Sequence, residues 1–321
     1  MTNAIGSPSS NPIGAPDASD RAGFGGGDPG WNSATWSGAE PAPNPPKTPF
    51  DQIRGALRLL AFAATTLALL PVFFLMRALD QLFGGRRDRA IAALWCGAGM
   101  AISGLRARRL GAPLPGGGVI LANHASWLDV MVLGWLAPVH FVAKAEVATW
   151  PLFGWIGKIS NTVFIERRRT EAKAQERMLA RRARDGDLLC VFPEGTSSDG
   201  LRVLPFKTSL FALFFSDETA SHVLAQPVSV HYAPRAGLPA SFYGFWGRMP
   251  LSRHLWDVVC LSRGGVATVI FHAPVDPADF DGRKALANAT EARVAAGLQE
   301  AAGDPEREAE PETTDAEVAP R

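Results

Sequence analysis

Val119-Ile120-Leu121-Ala122-Asn123-His124-Ala125-Ser126-Trp127-Leu128-Asp129 changes character midway, and the change decides how the rest of the chain is read. Val119 to Ala122 is a short, partly β-branched apolar run behind Gly116-Gly117-Gly118, which predicts a buried strand. The strand delivers Asn123-His124 to its end. Ser126 is placed to cap a helix that continues through the apolar segment Leu128 to Leu136. On one continuous helix His124 and Asp129 would point about 140° apart, at ~100° per residue. They meet only if the chain bends between them, as a strand-to-helix turn allows. A carboxylate beside an imidazole fixes its tautomer and raises its basicity, which suits a general base at neutral pH.

Working outward, the 321 residues allow one large domain or two small ones plus tails, and the 47% apolar content supplies a sizeable core. The net charge of +1 hides a segregation. Residues 1–50 sum to −2 and residues 303–321 to −5, so residues 51–302 carry +8. A basic body suits anionic lipid headgroups, an acidic carrier protein or nucleic acid. Cys96, Cys190 and Cys260 lie far apart among apolar neighbours, which supports neither a disulfide framework nor a zinc site and points to a reducing compartment.

Residues 1–48 are rich in Gly, Pro, Ser, Asn and Ala without apolar periodicity and are expected to be a disordered tail, in which Trp31 and Trp36 have no assignable role. The start lacks the basic end and apolar run of a signal peptide. Leu59 to Met76 runs 18 residues without a charge, interrupted by Pro71, and Ala90 to Leu105 is a second uncharged stretch. Residues 49–110 are therefore expected to form a membrane-associated helical hairpin that dips into one leaflet or contributes one spanning helix. Two buried helices of a soluble bundle are the alternative.

After residue 110, short apolar runs alternate with helical stretches. Strands are expected at 118–123, 139–144, 161–166, 187–192, 225–232 and 265–272, and helices at 126–136, 150–159, 170–184, 206–215 and 283–302. This alternation predicts an α/β fold with a largely parallel sheet flanked by helices over residues 111–302, with the chemistry in loops at the strand carboxyl ends. Residues 303–321 read as a disordered acidic tail.

Two further stretches fall at such strand ends. Asn161 to Glu166 is a β-branched run that leads into Arg167, well placed for a two-pronged contact with a phosphate or carboxylate. Leu188 to Phe192 is an apolar strand that stops at Pro193. Glu194-Gly195-Thr196 then offers backbone N–H groups and hydroxyls to an anion or polar substrate, and Lys207, after Pro205-Phe206, is placed to serve the same pocket.

Asn-His-x-Ser-x-x-Asp (123–129), an apolar run ending in Arg167, Phe-Pro-Glu-Gly-Thr-x-Ser (192–198) and a later strand with Pro227 occur in that order. Together they resemble the 1-acylglycerol-3-phosphate acyltransferase family of glycerolipid acyltransferases over roughly residues 100–275. The resemblance implies an α/β domain behind a membrane-associated hairpin. It implies that His124 takes the proton from a lysolipid hydroxyl, which attacks an acyl thioester with no acyl-enzyme, and that Asp129 orients the imidazole. It places Asn123, Ser126, Lys144, Arg167, Glu194, Gly195, Thr196, Ser197, Arg202 and Lys207 around the substrates. Many phosphatidic-acid-forming members have Arg where this chain has Ser197, and its loss removes one phosphate ligand. The longer string through Gly200, continued by Arg202 to Lys207, looks like the lyso-ornithine lipid acyltransferase branch. Both acceptors stay open at this point.

The expected partners are therefore membrane lipids and an acyl donor, acyl carrier protein or acyl coenzyme A, at the cytoplasmic face of the inner membrane, with no metal or other cofactor. A lipid hydrolase would want a nucleophilic serine on a sharp turn or a metal cluster, and neither is evident. A non-catalytic lipid-binding protein is the other alternative. Nucleic acid is disfavoured because the basic residues between 167 and 184 carry no interleaved aromatics.

Overall fold

The computed structural model describes residues 36–38, 40–149, 154, 157, 162–165, 172–216 and 223–303. Helix α1 (Pro49–Phe83) starts at a capping box, in which Thr48 accepts from the Asp51 N–H and the Asp51 side chain accepts from the Thr48 N–H, with Pro49 at the first position. Helix α2 (Arg87–Ser103) folds back against it and ends at Gly104, whose φ of 72° only glycine adopts freely. The Trp95 indole N–H joins the two by donating to Thr66 Oγ1 at 2.9 Å.

Strands β1 (Leu105–Leu110) and β2 (Gly118–Ala122) follow, then helix α3 (Leu128–Leu136), strands β3 (Val139–Lys144) and β4 (Val163–Ile165), and helix α4 (Ala172–Arg184). Strand β5 (Leu188–Val191), a 3-10 segment (Thr208–Phe215), strand β6 (Ala225–Ala233), helix α5 (Leu251–Leu261), strand β7 (Gly265–Phe271) and helix α6 (Arg283–Ala302) complete the order. Among the described residues, seven strands lie in the order β1-β7-β6-β2-β5-β3-β4. Strands β6, β2, β5, β3 and β4 run parallel; β7 is antiparallel to β6, and β1 follows β7.

Strand β2 is central and buried on both faces, which explains its unbroken apolar run. Ile120 and Ala122 face one core with Leu128, Val132 and Leu133 of α3 and Val258 of α5. Val119 and Leu121 face the other, with Leu179 and Ala183 of α4 and Leu286 and Val294 of α6. The expected α/β class, largely parallel sheet and preceding helical pair are thus the architecture found.

The hairpin covers the first core, where α2 packs on α3. A Cβ at Gly97 would lie 2.5 Å from the Trp135 ring, so this glycine is what lets the two helices approach. At its start α1 is stitched to the end of α5. Arg58 donates to the carbonyls of Val259 (3.0 Å) and Ser262 (2.8 Å), and Arg54 donates to that of Cys260. Almost none of the apolar stretch of α1 is buried, and Leu60, Leu67, Leu75 and Phe83 are exposed. The helix is long and apolar enough to cross a membrane and is not a core helix of a soluble bundle.

Among the described residues, one strand and one α-helix are unexpected from the sequence. Strand β1, Leu-Arg-Ala-Arg-Arg-Leu, carries three arginines instead of an apolar run, because an edge strand is buried on few sides. Helix α5 was not expected either. The expected helix at 206–215 is instead a 3-10 segment. Most of the helix expected at 150–159 lies outside the described residues.

Candidate active site

The turn Asn123–Trp127 joins β2 to α3 and is fixed by its own polar groups. Asn123 is buried, and its side chain clamps the backbone of β6: Nδ2 donates to the Val230 carbonyl (2.9 Å) and Oδ1 accepts from the Val230 N–H (2.7 Å). The Asn123 amide therefore positions the turn. The next peptide is gripped from β5's side. The His124 N–H donates to Glu194 Oε1 (3.0 Å), and its carbonyl accepts from the Ser198 N–H (2.9 Å) and hydroxyl (3.2 Å).

The Asp129 side chain reaches back over the turn from the first helical positions of α3. Its Oδ2 accepts from the Ala125 N–H (2.9 Å), the Ser126 N–H (3.0 Å) and His124 Nδ1 (2.6 Å), while Oδ1 accepts from the Tyr232 hydroxyl (2.7 Å). The carboxylate is 0% exposed, so four donors stand in for water. Asp129 is thus both a helix-start acid and the partner of the histidine. Ser126 supplies its N–H to this network; its hydroxyl does not cap α3. The carboxylate assigns the proton to Nδ1, which leaves Nε2 as the basic nitrogen. No described residue bonds Nε2. The ring is 23% exposed and stacks on Phe192, centroids 4.1 Å apart, with Phe141 parallel behind at 6.2 Å.

Burial pushes the Glu194 carboxyl well above the usual carboxylate range. The His124 and Leu204 N–H groups oppose the rise, and the charges of Asp129 and Glu291 add to it. The Tyr232 hydroxyl is likewise raised by burial and then by Asp129, so it stays a donor.

The remaining expected residues divide. Gly195 has φ 67°, and a Cβ there would lie 2.6 Å from Lys207 Nζ, so the lysine passes directly over the glycine. The Lys207 N–H donates to the Pro193 carbonyl (2.9 Å). Thr196 and Ser197 form the apex of the turn, with Thr196 Oγ1 donating to the Ser197 carbonyl at 3.4 Å. Arg202 pairs with Asp199 at 3.2 Å and is 53% exposed. Lys144 ends β3 at the same sheet edge. Arg167 lies outside the described residues. Among the described residues no group of three or more His, Cys, Asp or Glu side chains is arranged to hold a metal.

Tyr232 was missed, although a signal existed. Counting by twos from Val228 and Val230 places it on the strand face that α3 covers, at the carboxyl end where the chemistry is expected.

An acyltransferase family pattern matches residues 108–230, which include both strand-end turns. A lyso-ornithine lipid O-acyltransferase from Rhodobacter capsulatus is 44% identical over 266 residues, covering 82% of this chain and 96% of that protein. A 1-acyl-sn-glycerol-3-phosphate acyltransferase from Neisseria gonorrhoeae is 31% identical, covering 69% of this chain and 85% of its own. In fold, the chain is similar to the crystal structure of the 1-acyl-sn-glycerophosphate acyltransferase PlsC from Thermotoga maritima, with a TM-score of 0.56 and 24% identity over 79% of this chain and 98% of that one. Extended identity to named relatives and the built His124–Asp129 turn agree: the chain belongs to the acyltransferase family and is an enzyme that transfers acyl groups.

Proposed function

We propose that the chain transfers a fatty acyl group from an acyl thioester to the hydroxyl of a lysolipid, with lyso-ornithine lipid as its principal acceptor. The observation that carries the mechanism is the 2.6 Å contact of Nδ1 with a buried, fully bonded Asp129, opposite an unbonded Nε2. Nε2 removes the acceptor proton as its oxygen attacks the thioester carbonyl. Asp129 stabilises the imidazolium, and the intermediate collapses with loss of the thiolate, which takes the proton from Nε2. Transfer is direct, so no serine nucleophile is required. The donor is acyl carrier protein or acyl coenzyme A.

The acceptor assignment is supported by the relatives from Rhodobacter capsulatus and Brucella abortus, 44% and 36% identical, both named lyso-ornithine lipid O-acyltransferases, and by Ser197 in place of a phosphate-binding arginine. The Neisseria gonorrhoeae relative favours 1-acyl-sn-glycerol-3-phosphate as a second acceptor. The exposed apolar face of α1 supports association with a membrane, and the cytoplasmic face of the inner membrane is the proposed location. Side-by-side assays of lyso-ornithine lipid and lysophosphatidic acid with one labelled donor test the reading. Higher kcat/KM on lyso-ornithine lipid is expected. Turnover of lysophosphatidic acid alone overturns the acceptor, and turnover of neither overturns the function.

A further inference from the structure

The segment ahead of α1 reaches the candidate active site. The Trp36 N–H donates to Thr196 Oγ1 at 3.2 Å, and the Arg202 guanidinium lies over the Trp36 indole, 5.4 Å from the ring centroid. Thr196 is the apex of the turn whose two ends, Glu194 and Ser198, hold the N–H and carbonyl of His124. The indole itself folds across Gly38, where a Cβ would lie 2.1 Å from the ring.

The way the segment is held matches this placement. Pro41, Pro43, Pro45 and Pro46 favour an extended, stiff backbone that advances about 3.1 Å per residue. Its far end is pinned to α5, where Asn44 Nδ2 donates to Asp257 Oδ2 (3.0 Å) and Lys47 pairs with Oδ1 of the same carboxylate. With Asn44 and Lys47 fixed at α5, the proline-rich stretch lowers the entropic cost of holding Trp36 at the turn.

We propose that Trp36 is a positioning residue for acceptor recognition, holding Arg202 so that its remaining N–H groups take the anionic group of the lysolipid headgroup, a carboxylate or a phosphate. An arginine whose face rests on an indole and whose one edge meets Asp199 keeps further donors for a second anion. Without the ring, a guanidinium 53% exposed samples many rotamers, and each must be frozen out when the headgroup binds. The inference rests on the acyl-transfer reading and adds a specificity determinant from outside the sheet domain.

The test uses the full chain and three acceptors: lyso-ornithine lipid, lysophosphatidic acid and the uncharged monoacylglycerol. Trp36→Ala is expected to raise KM for the two acceptors that carry an anionic group about fivefold, with kcat, donor KM and the monoacylglycerol reaction nearly unchanged. Trp36→Phe restores most of the loss. Trp36→Ala combined with Arg202→Ala is expected to be no worse than Arg202→Ala alone, because the two act as one unit. An effect confined to one anionic acceptor identifies the group as carboxylate or phosphate. Equal losses on all three acceptors, additive losses, or a lower KM on removing Trp36 overturn the proposal. Wild-type turnover with unaltered KM in Trp36→Ala sinks this inference alone, whereas a wild type inactive on every acceptor sinks the acyl-transfer reading beneath it.

Discussion

Two histidine–aspartate contacts lie at opposite edges of the same sheet, and they are built in opposite senses. At the carboxyl edge Asp129 is 0% exposed and its donors are two backbone N–H groups, the Tyr232 hydroxyl and the His124 ring, which is open on its far side. At the amino edge His140 is the buried partner, 4% exposed, and its Nε2 stands 3.5 Å from Asp187. There Arg89 (2.7 Å) and Arg182 (2.8 Å) bond the carboxylate directly. Burial raises the Asp187 carboxyl, but the arginine hydrogen bonds outweigh it and hold the group below its ordinary value. A carboxylate already neutralised by two guanidinium groups has little influence left over a histidine. Proximity of the two residue types is therefore a weak signal. Which partner is buried, and what else bonds the acid, separates a base from a structural tie.

Substitutions at the two edges should diverge accordingly. The largest effect is expected from His124→Ala, which lowers kcat by about three to four powers of ten with little change in melting temperature. A steady-state assay beside a thermal melt checks both halves; a variant that keeps most of its rate breaks the distinction between the edges. Exchanging each acid for its amide sharpens it. Asp129→Asn should cost about two to four powers of ten in kcat, whereas Asp187→Asn should leave kcat within about twofold and lower stability by about 1–3 kcal/mol in denaturant melts.

Tyr232→Phe removes one of the four donors to Asp129, and about a tenfold loss of kcat is expected, measurable at saturating acceptor. The smallest effect concerns His254, whose Nδ1 accepts from the Trp127 indole N–H at 3.0 Å and which burial holds below the usual imidazole value. A histidine neutral when folded and protonated when unfolded makes unfolding take up a proton. Stability therefore falls as the pH drops below about 6.5. His231 and His272, lowered by the same cause, act with the same sign. His254→Gln should flatten only its share of the slope in melts between pH 7.5 and pH 5, while the pH profile of His124-dependent turnover stays in place.

The sheet and the catalytic turn were largely legible because the signal is local. The run Val119–Ala122 is apolar throughout since both faces are covered, and five residues are what a strand needs to bend into a helix and bring His124 onto Asp129. Strand β1 was illegible because its register with β7, not its composition, makes it a strand. The role of Asn123 in clamping β6 depends on Val230, 107 positions away, and that of Trp36 on Thr196, 160 positions away. No spacing rule reaches across such separations.

The stitching of α1 to α5 has a mechanical consequence. Arg54 and Arg58 end on the carbonyls of Val259, Cys260 and Ser262 around the close of α5, and Asp257, earlier on that helix, anchors the connector that leads to Trp36. Once α1 is immersed, its depth sets the height of α5 above the lipid and, through the connector, the height of the indole at the headgroup. If α1 lies in a bilayer, as proposed, this coupling would hold each lipid headgroup at one fixed level relative to that helix.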